Sequence, residues 1–280
     1  MIQLDYEAPP ADLSPYISAY YFFSTDEAEL EDFERADIAQ LRFPLTGRGT
    51  IFFGDGHVDN LHEISVMGPR TKASRVRVAG PATLFGVGLL PAGWAAFTKQ
   101  PADKWTNRIL NGHDLMGRNA EPALAALRAA PGFKAMVAYT NEMARGFAQR
   151  AEVVPHWFIR AVDEWLEARL SPDIADLEAS TGLSRRQIER LAKQIYGSPP
   201  KILVRKYRAL RTANAIARGK GDWQDFIDEA YYDQSHCIRE VKEFTGITPN
   251  AIRTHVSRLT ALTWDRSMLF GQIAPLSALT

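Results

Sequence analysis

Apolar positions change their period twice along this chain. Up to about residue 115 they fall in short runs broken by Gly and Pro: Tyr16–Phe23, Gln40–Phe43, Thr50–Phe53, Glu63–Met67, Ser74–Val78 and Thr83–Leu90. Such runs, separated by turn signals like Gly47-Arg48-Gly49 and Gly54-Asp55-Gly56, predict successive short β-strands and hence a small barrel or sandwich. From Asn119 the spacing becomes three and four, which predicts helices over Asn119–Ala130, Phe133–Arg150 and His156–Leu170, punctuated by Pro131-Gly132 and Pro155. Their apolar faces must pack on the strand region or on a second chain, and the pattern does not choose between them.

The third regime is a repeat. A shift from position 186 to position 235 lays Ile188, Arg190, Ala192, Lys193, Ile195, Gly197 and Pro200 onto Cys237, Arg239, Val241, Lys242, Phe244, Gly246 and Pro249. In the first copy Pro172–Ala179 reads as a short helix, Gly182 as a turn residue and Ser184 as the cap of a second helix. Along Ser184–Ile195 the residues Ile188, Leu191, Ala192 and Ile195 form one stripe, with Arg186, Arg190 and Lys193 opposite. The second copy turns Cys237, Ile238, Val241 and Phe244 inward and Ser235, Arg239 and Lys242 outward, with Asp233 as its cap. Each copy has the form of a helix with its back in a core and a cationic front toward a polyanion. Guanidiniums there suit guanine edges and phosphates. Lys201–Arg218 reads as one long helix, carrying Lys201, Arg205, Arg208 and Arg211, that sets the distance between the two heads; one duplex turn, roughly 34 Å, would place them in successive major grooves.

Net charge is silent, with 33 basic and 33 acidic residues, but the distribution is not. Ser184 to Arg218 holds ten basic residues against one acid, Glu189, while many acids gather in Asp26 to Asp37 and read as a solvated loop or helix face. The 46% of hydrophobic residues suffices for real cores. A single cysteine, Cys237, excludes an internal disulfide and a cysteine-rich zinc site. No window approaches a membrane span and no export signal is seen, so a soluble cytoplasmic protein is expected.

These residues resemble the AraC/XylS transcription regulators. The resemblance rests on Ile174-Ala175, Gly182-Leu183-Ser184-Arg185-Arg186-Gln187-Ile188-Glu189-Arg190, Gly197 and Pro200, then Tyr231-Tyr232-Asp233-Gln234-Ser235-His236, Arg239, Lys242 and Gly246-Ile247-Thr248-Pro249. It implies a seven-helix domain with two helix-turn-helix units, base-facing positions at Arg186, Glu189 and Arg190 in one unit and at Gln234, Ser235 and Arg239 in the other. Arg185, Lys193, His236 and Lys242 complete the expected DNA-contacting set. More weakly, Pro9-Pro10 with Leu13-Ser14-Pro15-Tyr16, and Gly86 through Gly93, are similar to the cupin-like sensor halves of that family. The chain departs from the pattern at Phe226 and Ala230, where small residues are usual, and at Cys237 and Val241, where aromatics are usual, which puts base specificity of the second unit in doubt.

The expected fold is α+β: a β-rich cupin-like barrel for sensing or dimerisation over 1–118, a helical connector over 119–154, the double helix-turn-helix domain over 155–258 and an apolar tail over 259–280. The expected partners are an operator duplex, a small-molecule effector and a second copy of the chain, with no membrane and no cofactor. Coupling between the halves is expected through Asn119–Leu170. His57, His62 and His113 lack the spacing of a barrel metal site, Cys237 reads as an inert core thiol, and Trp94, Phe97 and Trp105 suit a pocket or a core equally. Two other readings remain: a cupin-like enzyme with an accessory DNA-binding half, for which no catalytic cluster appears, and a non-enzymatic interaction protein whose second head has lost sequence reading.

Overall fold

The computed structural model describes residues 1–149, 154–219 and 230–280. The first hundred or so residues build one antiparallel sheet. Its centre is a ribbon of two long strands, β4 (Ala39–Phe52) and β7 (Ser74–Leu89), paired from Ala39 opposite Leu89 to Phe52 opposite Arg75. One half of β7 also takes β2 (Ile17–Thr25), edged by β1 (Ile2–Glu7), and the other half takes β3 (Glu29–Glu34). The far side of β4 takes β5 (Val58–Asn60) at one end and β6 (Ser65–Met67) at the other, with β8 (Ile109–Asn111) beyond.

Two expectations fail here. Gln40–Phe43 and Thr50–Phe53 belong to one strand, as do Ser74–Val78 and Thr83–Leu90, because Gly47 and its neighbours make irregularities within the ladder instead of a reversal. Gly47 sits at φ +76°, and a Cβ there would lie 2.5 Å from that of Ala82, so the ribbon needs a glycine at that bulge. The acid run of Asp26 to Asp37 is no solvated loop. Its middle is β3, with Leu30 and Asp32 buried and Glu31 turned out to meet Arg75 at 2.6 Å and Arg77 at 3.0 Å on β7. Opposite charges on adjacent strands offset what acids lose in a sheet. The Gly54-Asp55-Gly56 turn is present, closed by Phe53 and His57.

Helices α1 (Pro91–Thr98), α2 (Ala102–Trp105) and α3 (Gly112–Met116), which no periodicity announced, follow the long strand. Next come α4 (Ala120–Ala129) and α5 (Phe133–Ala148), close to expectation. Their apolar faces settle the open question about the connector: Leu124, Leu127, Met136 and Val137 share a core with Tyr20, Phe43 and Phe85 of the sheet. The chain continues through α6 (His156–Ala168), α7 (Ile174–Thr181), α8 (Arg185–Tyr196), α9 (Pro200–Ala217), α10 (Gln234–Thr245), α11 (Pro249–Thr254) and α12 (Arg258–Thr263). No described helix is long and apolar enough to cross a membrane.

The cores do not respect the division between the halves. The core around α6 to α9 includes Ala92 of α1 and Leu276 and Leu279 of the tail. The core of Ala209, Cys237, Val241 and Phe244 includes Ala36 from the loop after β3, and a fourth core joins Phe23, Ile51 and Val76 of the sheet to Leu259 of α12.

Candidate nucleic-acid interface

Each reading helix begins where local chemistry requires. Asp173, rather than Pro172, caps α7 by accepting from the Ala175 amide at 3.0 Å, and Gly182 ends that helix at φ +68°. At the start of α8 the Gln187 carboxamide reaches back to the Ser184 amide at 2.9 Å and its hydroxyl at 2.7 Å. Ile188, Ala192 and Ile195 are buried, Leu191 is half-buried, and Arg185, Arg186, Glu189, Arg190 and Lys193 are exposed. At α10 the Asp233 carboxylate accepts from the His236 amide at 2.6 Å; Cys237, Val241 and Phe244 are buried, and Gln234, Ser235, Arg239 and Lys242 are exposed. Among the described residues Arg186, Arg190, Lys193, Arg239 and Lys242 meet no carboxylate, so five cations stand free on two equivalent helix faces. His236 is set apart from them, half-buried with Nε2 3.4 Å from Glu240 and its ring edge-on to Tyr231. Phe226 lies outside the described residues, and Ala230 is half-buried beside Tyr231.

The cations of α9 behave differently. Arg208 forks onto Glu240 of α10 at 2.7 and 2.9 Å and reaches Ser171 at 2.6 Å. Arg205 donates to Glu240 at 2.9 Å and Glu243 at 2.5 Å, Arg211 donates to the Leu166 carbonyl at 2.5 Å, and Lys206 is buried against the Asp37 carbonyl at 2.7 Å. Glu240 is 1% exposed, so two guanidiniums neutralise a carboxylate that has left water. Part of the local basicity is therefore a clamp between α9 and α10 and not a reading surface. The acids that complete it, Glu240 and Glu243, lie on α10 at positions the cation pattern overlooked. Burial, with Glu240 nearby, pushes the Cys237 thiol up to about 11, which leaves it unreactive at neutral pH.

The two heads are seated alike at their C-terminal ends. Gly197 and Gly246, equivalent in the repeat, both adopt positive φ, at +76° and +84°, and return their amides to Lys193 and Lys242. The Gly197 carbonyl accepts from Thr106, just past α2, at 2.9 Å. Gly246 lies against the Phe33 ring, the Phe244 carbonyl accepts from Ala36 at 2.7 Å, and the Glu243 carbonyl from Ala73 at 2.9 Å. Both helices thus rest their C-terminal ends on the sheet region and leave their N-terminal turns open. Residues 119–170, expected from the sequence to be the route between the halves, are not the sole one: direct contacts join the halves at both heads.

Beneath the sheet, β1, β2, β4, β7 and the tail border a narrow, partly open cavity of about 90 Å³. Leu4, Phe23, Ile51, Val76, Leu84 and Leu259 form apolar walls, and half-buried Glu34 with buried Arg35, Asp37, Arg42, Arg70 and Arg266 forms the polar end. Asp37 is the hub: Arg266 grips both its oxygens at 3.1 Å, Arg70 lies at 3.4 Å, and Lys206 of α9 holds its carbonyl. Burial would raise the Glu34 carboxyl, but Arg42 and Arg70 outweigh it and hold the group at about 2. Burial pushes Lys206 down to about 8, Asp37 opposing while Arg70 and Arg266 assist.

His57 faces Asp59 at 2.9 Å, His113 lies 3.6 Å from Glu121, and His62 engages Ser65 through its backbone; among the described residues no three ligand-type side chains are placed to share a metal. Trp94 is core, bonded to the Gln100 carbonyl; Trp105 packs against the same core, and Phe97 lines a separate apolar pocket under α5.

Two exposed, capped helices whose outward Arg186, Arg190, Lys193, Arg239 and Lys242 meet no carboxylate among the described residues, the first helix preceded by a short helix and a turn, mark a DNA-binding helix-turn-helix protein. Residues 177–255 match a helix-turn-helix domain family, and the C-terminal part is a helix-turn-helix domain of the AraC type; the chain is a DNA-binding transcription regulator. Residues 6–111 match a domain family of unknown function. No curated relative matches the sequence. Among solved structures the chain is similar to ToxT from Vibrio cholerae (7% identity, 89% of this chain and 96% of that one, TM-score 0.47) and to ToxT of that organism with an unsaturated fatty acid bound (7%, 92% and 97%, 0.47). It is also similar to the AraC-like transcriptional activator CuxR (14%, 74% and 86%, 0.28). Likeness at this level carries no conclusion about ligand or partner.

Proposed function

We propose that this chain is a one-component, cytoplasmic regulator that reads an operator with α8 and α10 and takes a small-molecule effector in the cavity beneath its sheet. Arg186, Glu189 and Arg190 face bases in one major groove, and Gln234, Ser235 and Arg239 face bases in the next. Arg185, Lys193 and Lys242 contact phosphate, and His236 supports the start of α10. Residues 155–258 form the reading half, 1–118 with the covering helices of 119–154 the sensing half, and 259–280 a strap between them. A homodimer suits a two-fold operator, and no catalytic step is assigned.

The observation that supports this reading is the contrast between two sets of cations: Arg186, Arg190, Lys193, Arg239 and Lys242 meet no carboxylate among the described residues, whereas Arg205 and Arg208 between the heads are tied to Glu240. Selection from random duplexes, followed by anisotropy across a salt series, tests it. The reading requires an enriched sequence and an affinity that falls steeply with salt. Recovery of no sequence, with no salt dependence, would reject it. Arg190→Ala is expected to cost about 1–3 kcal/mol and relax preference at particular base pairs, while Lys193→Ala weakens all duplexes alike.

A further inference from the structure

The two heads differ in what their first turns show. In α8 that turn presents exposed Arg185 and Arg186, with Glu189 one turn on; at the equivalent places α10 presents exposed Gln234 and Ser235, with half-buried Ile238 one turn on. The second head thus carries no lysine or arginine in its first turn. Tyr232, one residue ahead of the capping Asp233, is 93% exposed there, whereas its equivalent in the first copy, Leu183, is half-buried against the core of that head. The fastening of the turn has moved outward with it. In α8 Gln187 reaches back to the Ser184 amide; in α10 the equivalent His236 accepts through Nδ1 from the Tyr232 amide at 3.3 Å, one residue further out, and Asp233 accepts from the His236 amide. The backbone beneath the tyrosine is therefore held while its ring stands in water. A ring so placed loses little freedom when another surface packs on it.

We infer that the two heads read unlike base pairs: the first turn of α8 reads G·C pairs, and that of α10 reads A·T pairs, with the Tyr232 ring packed on the C5 methyl of a thymine beside an adenine held by Gln234. The chemistry of the major groove assigns these partners. Guanidiniums fork onto guanine O6 and N7, a carboxylate accepts from cytosine N4, a carboxamide pairs with adenine N6 and N7, and an apolar surface meets the thymine methyl. Arg186 and Glu189 suit the first kind of pair, Gln234 and Tyr232 the second. Arg239, equivalent to Arg190, keeps a cation further along α10, so the difference lies in the pairs under the first turn. A phenol hydroxyl resting on phosphate would carry no base preference, which separates the two uses of this side chain. The assignment rests on the regulator reading above and names what its second head recognises.

The test uses the full chain and the duplex enriched from random sequence, each thymine replaced in turn by deoxyuridine, which deletes the methyl alone. At one position or more the replacement should weaken binding about fourfold, the worth of one buried methyl. Tyr232→Ala should erase that difference and Tyr232→Phe should keep it; the side chain is exposed, so neither change disturbs the fold. Gln234→Ala should relax preference at the A·T pair beside that thymine, and Arg186→Ala preference for G·C pairs elsewhere in the duplex. Equal binding of every thymine and uracil duplex, or a methyl response that survives Tyr232→Ala, would overturn the inference and leave the regulator reading standing. Loss of the response in Tyr232→Phe would give the contact to the hydroxyl and overturn it as well. So would relaxation by Gln234→Ala at G·C pairs only. Enrichment of no sequence sinks the regulator reading, and this inference with it.

Discussion

The two copies of the repeat solve the same problem with different chemistry. In the first, α8 is held by an apolar stripe, by the Tyr196 hydroxyl on Ile159 and Asp163 of α6, and toward the sheet region by a hydroxyl-to-carbonyl bond from Thr106 to Gly197. In the second, α10 adds a buried ionic clamp, Glu240 between Arg205 and Arg208, and two backbone bonds to the sheet region. Copy two is thus tied both to α9 and to the strand after which the acid run ends. A head fastened at more points moves with its support, so the second head is the one that rearrangement in the sheet region should shift.

Glu240→Ala breaks this contrast most severely. Two guanidiniums would lose their shared carboxylate inside the protein, a loss expected to cost about 3–5 kcal/mol in denaturant unfolding. The equivalent position of the first copy is Leu191, only half-buried, and Leu191→Ala should cost about 1 kcal/mol, the burial of part of one side chain. Equal losses at the two positions would mean that the clamp adds nothing to ordinary packing.

Next in size is the seat of each head. Gly197→Ala and Gly246→Ala both force a side chain into positive φ, at about 1–2 kcal/mol each, and each new Cβ would also crowd a neighbour, the Thr106 hydroxyl in the first and the Phe33 ring, 2.8 Å away, in the second. Phe33→Ala should therefore restore part of the loss in Gly246→Ala and none in Gly197→Ala, read as thermal midpoints in a double-mutant cycle. Additive behaviour at Gly246 and Phe33 would show that the contact with β3 is loose.

What could be read from the sequence divides along the same line. Caps, stripes and the glycine stops of both heads were legible because they are local: Asp233, Ser184, Gly197 and Gly246 act within one or two turns of their own position. The clamp and the docking were not, because Glu240 meets Arg208 and Asp37 meets Lys206 only after the chain has folded back on itself. The acid run was the missed clue. Its charge compensates Arg75 and Arg77 on the next strand and Arg258 on α12, and its end reaches Arg70, Lys206 and Arg266. A segment whose acids balance cations elsewhere belongs against them. Strand lengths were misread for a related reason, since Gly47 signals a reversal in isolation and accommodates a bulge once Ala82 lies opposite.

The smallest expected effect sharpens the comparison from the side of the first head. At the edge of its core, half-buried Asp163 on α6 lies 3.0 Å from the Tyr196 hydroxyl at the end of α8. Burial, with Glu167 and Glu164 nearby, raises this carboxyl from 3.8 to about 7 despite the tyrosine bond. A folded-state value above the unfolded one means that the folded protein binds the extra proton between those limits. The stabilisation is therefore full below about pH 3.8 and is lost as the pH rises through about 7. Thermal midpoints should fall by a few degrees, on the order of 2–4 °C, between pH 5 and pH 8, and Asp163→Asn should flatten that slope. If the slope survives in Asp163→Asn, the pH response comes from another group and the first head carries no titrating tie of its own.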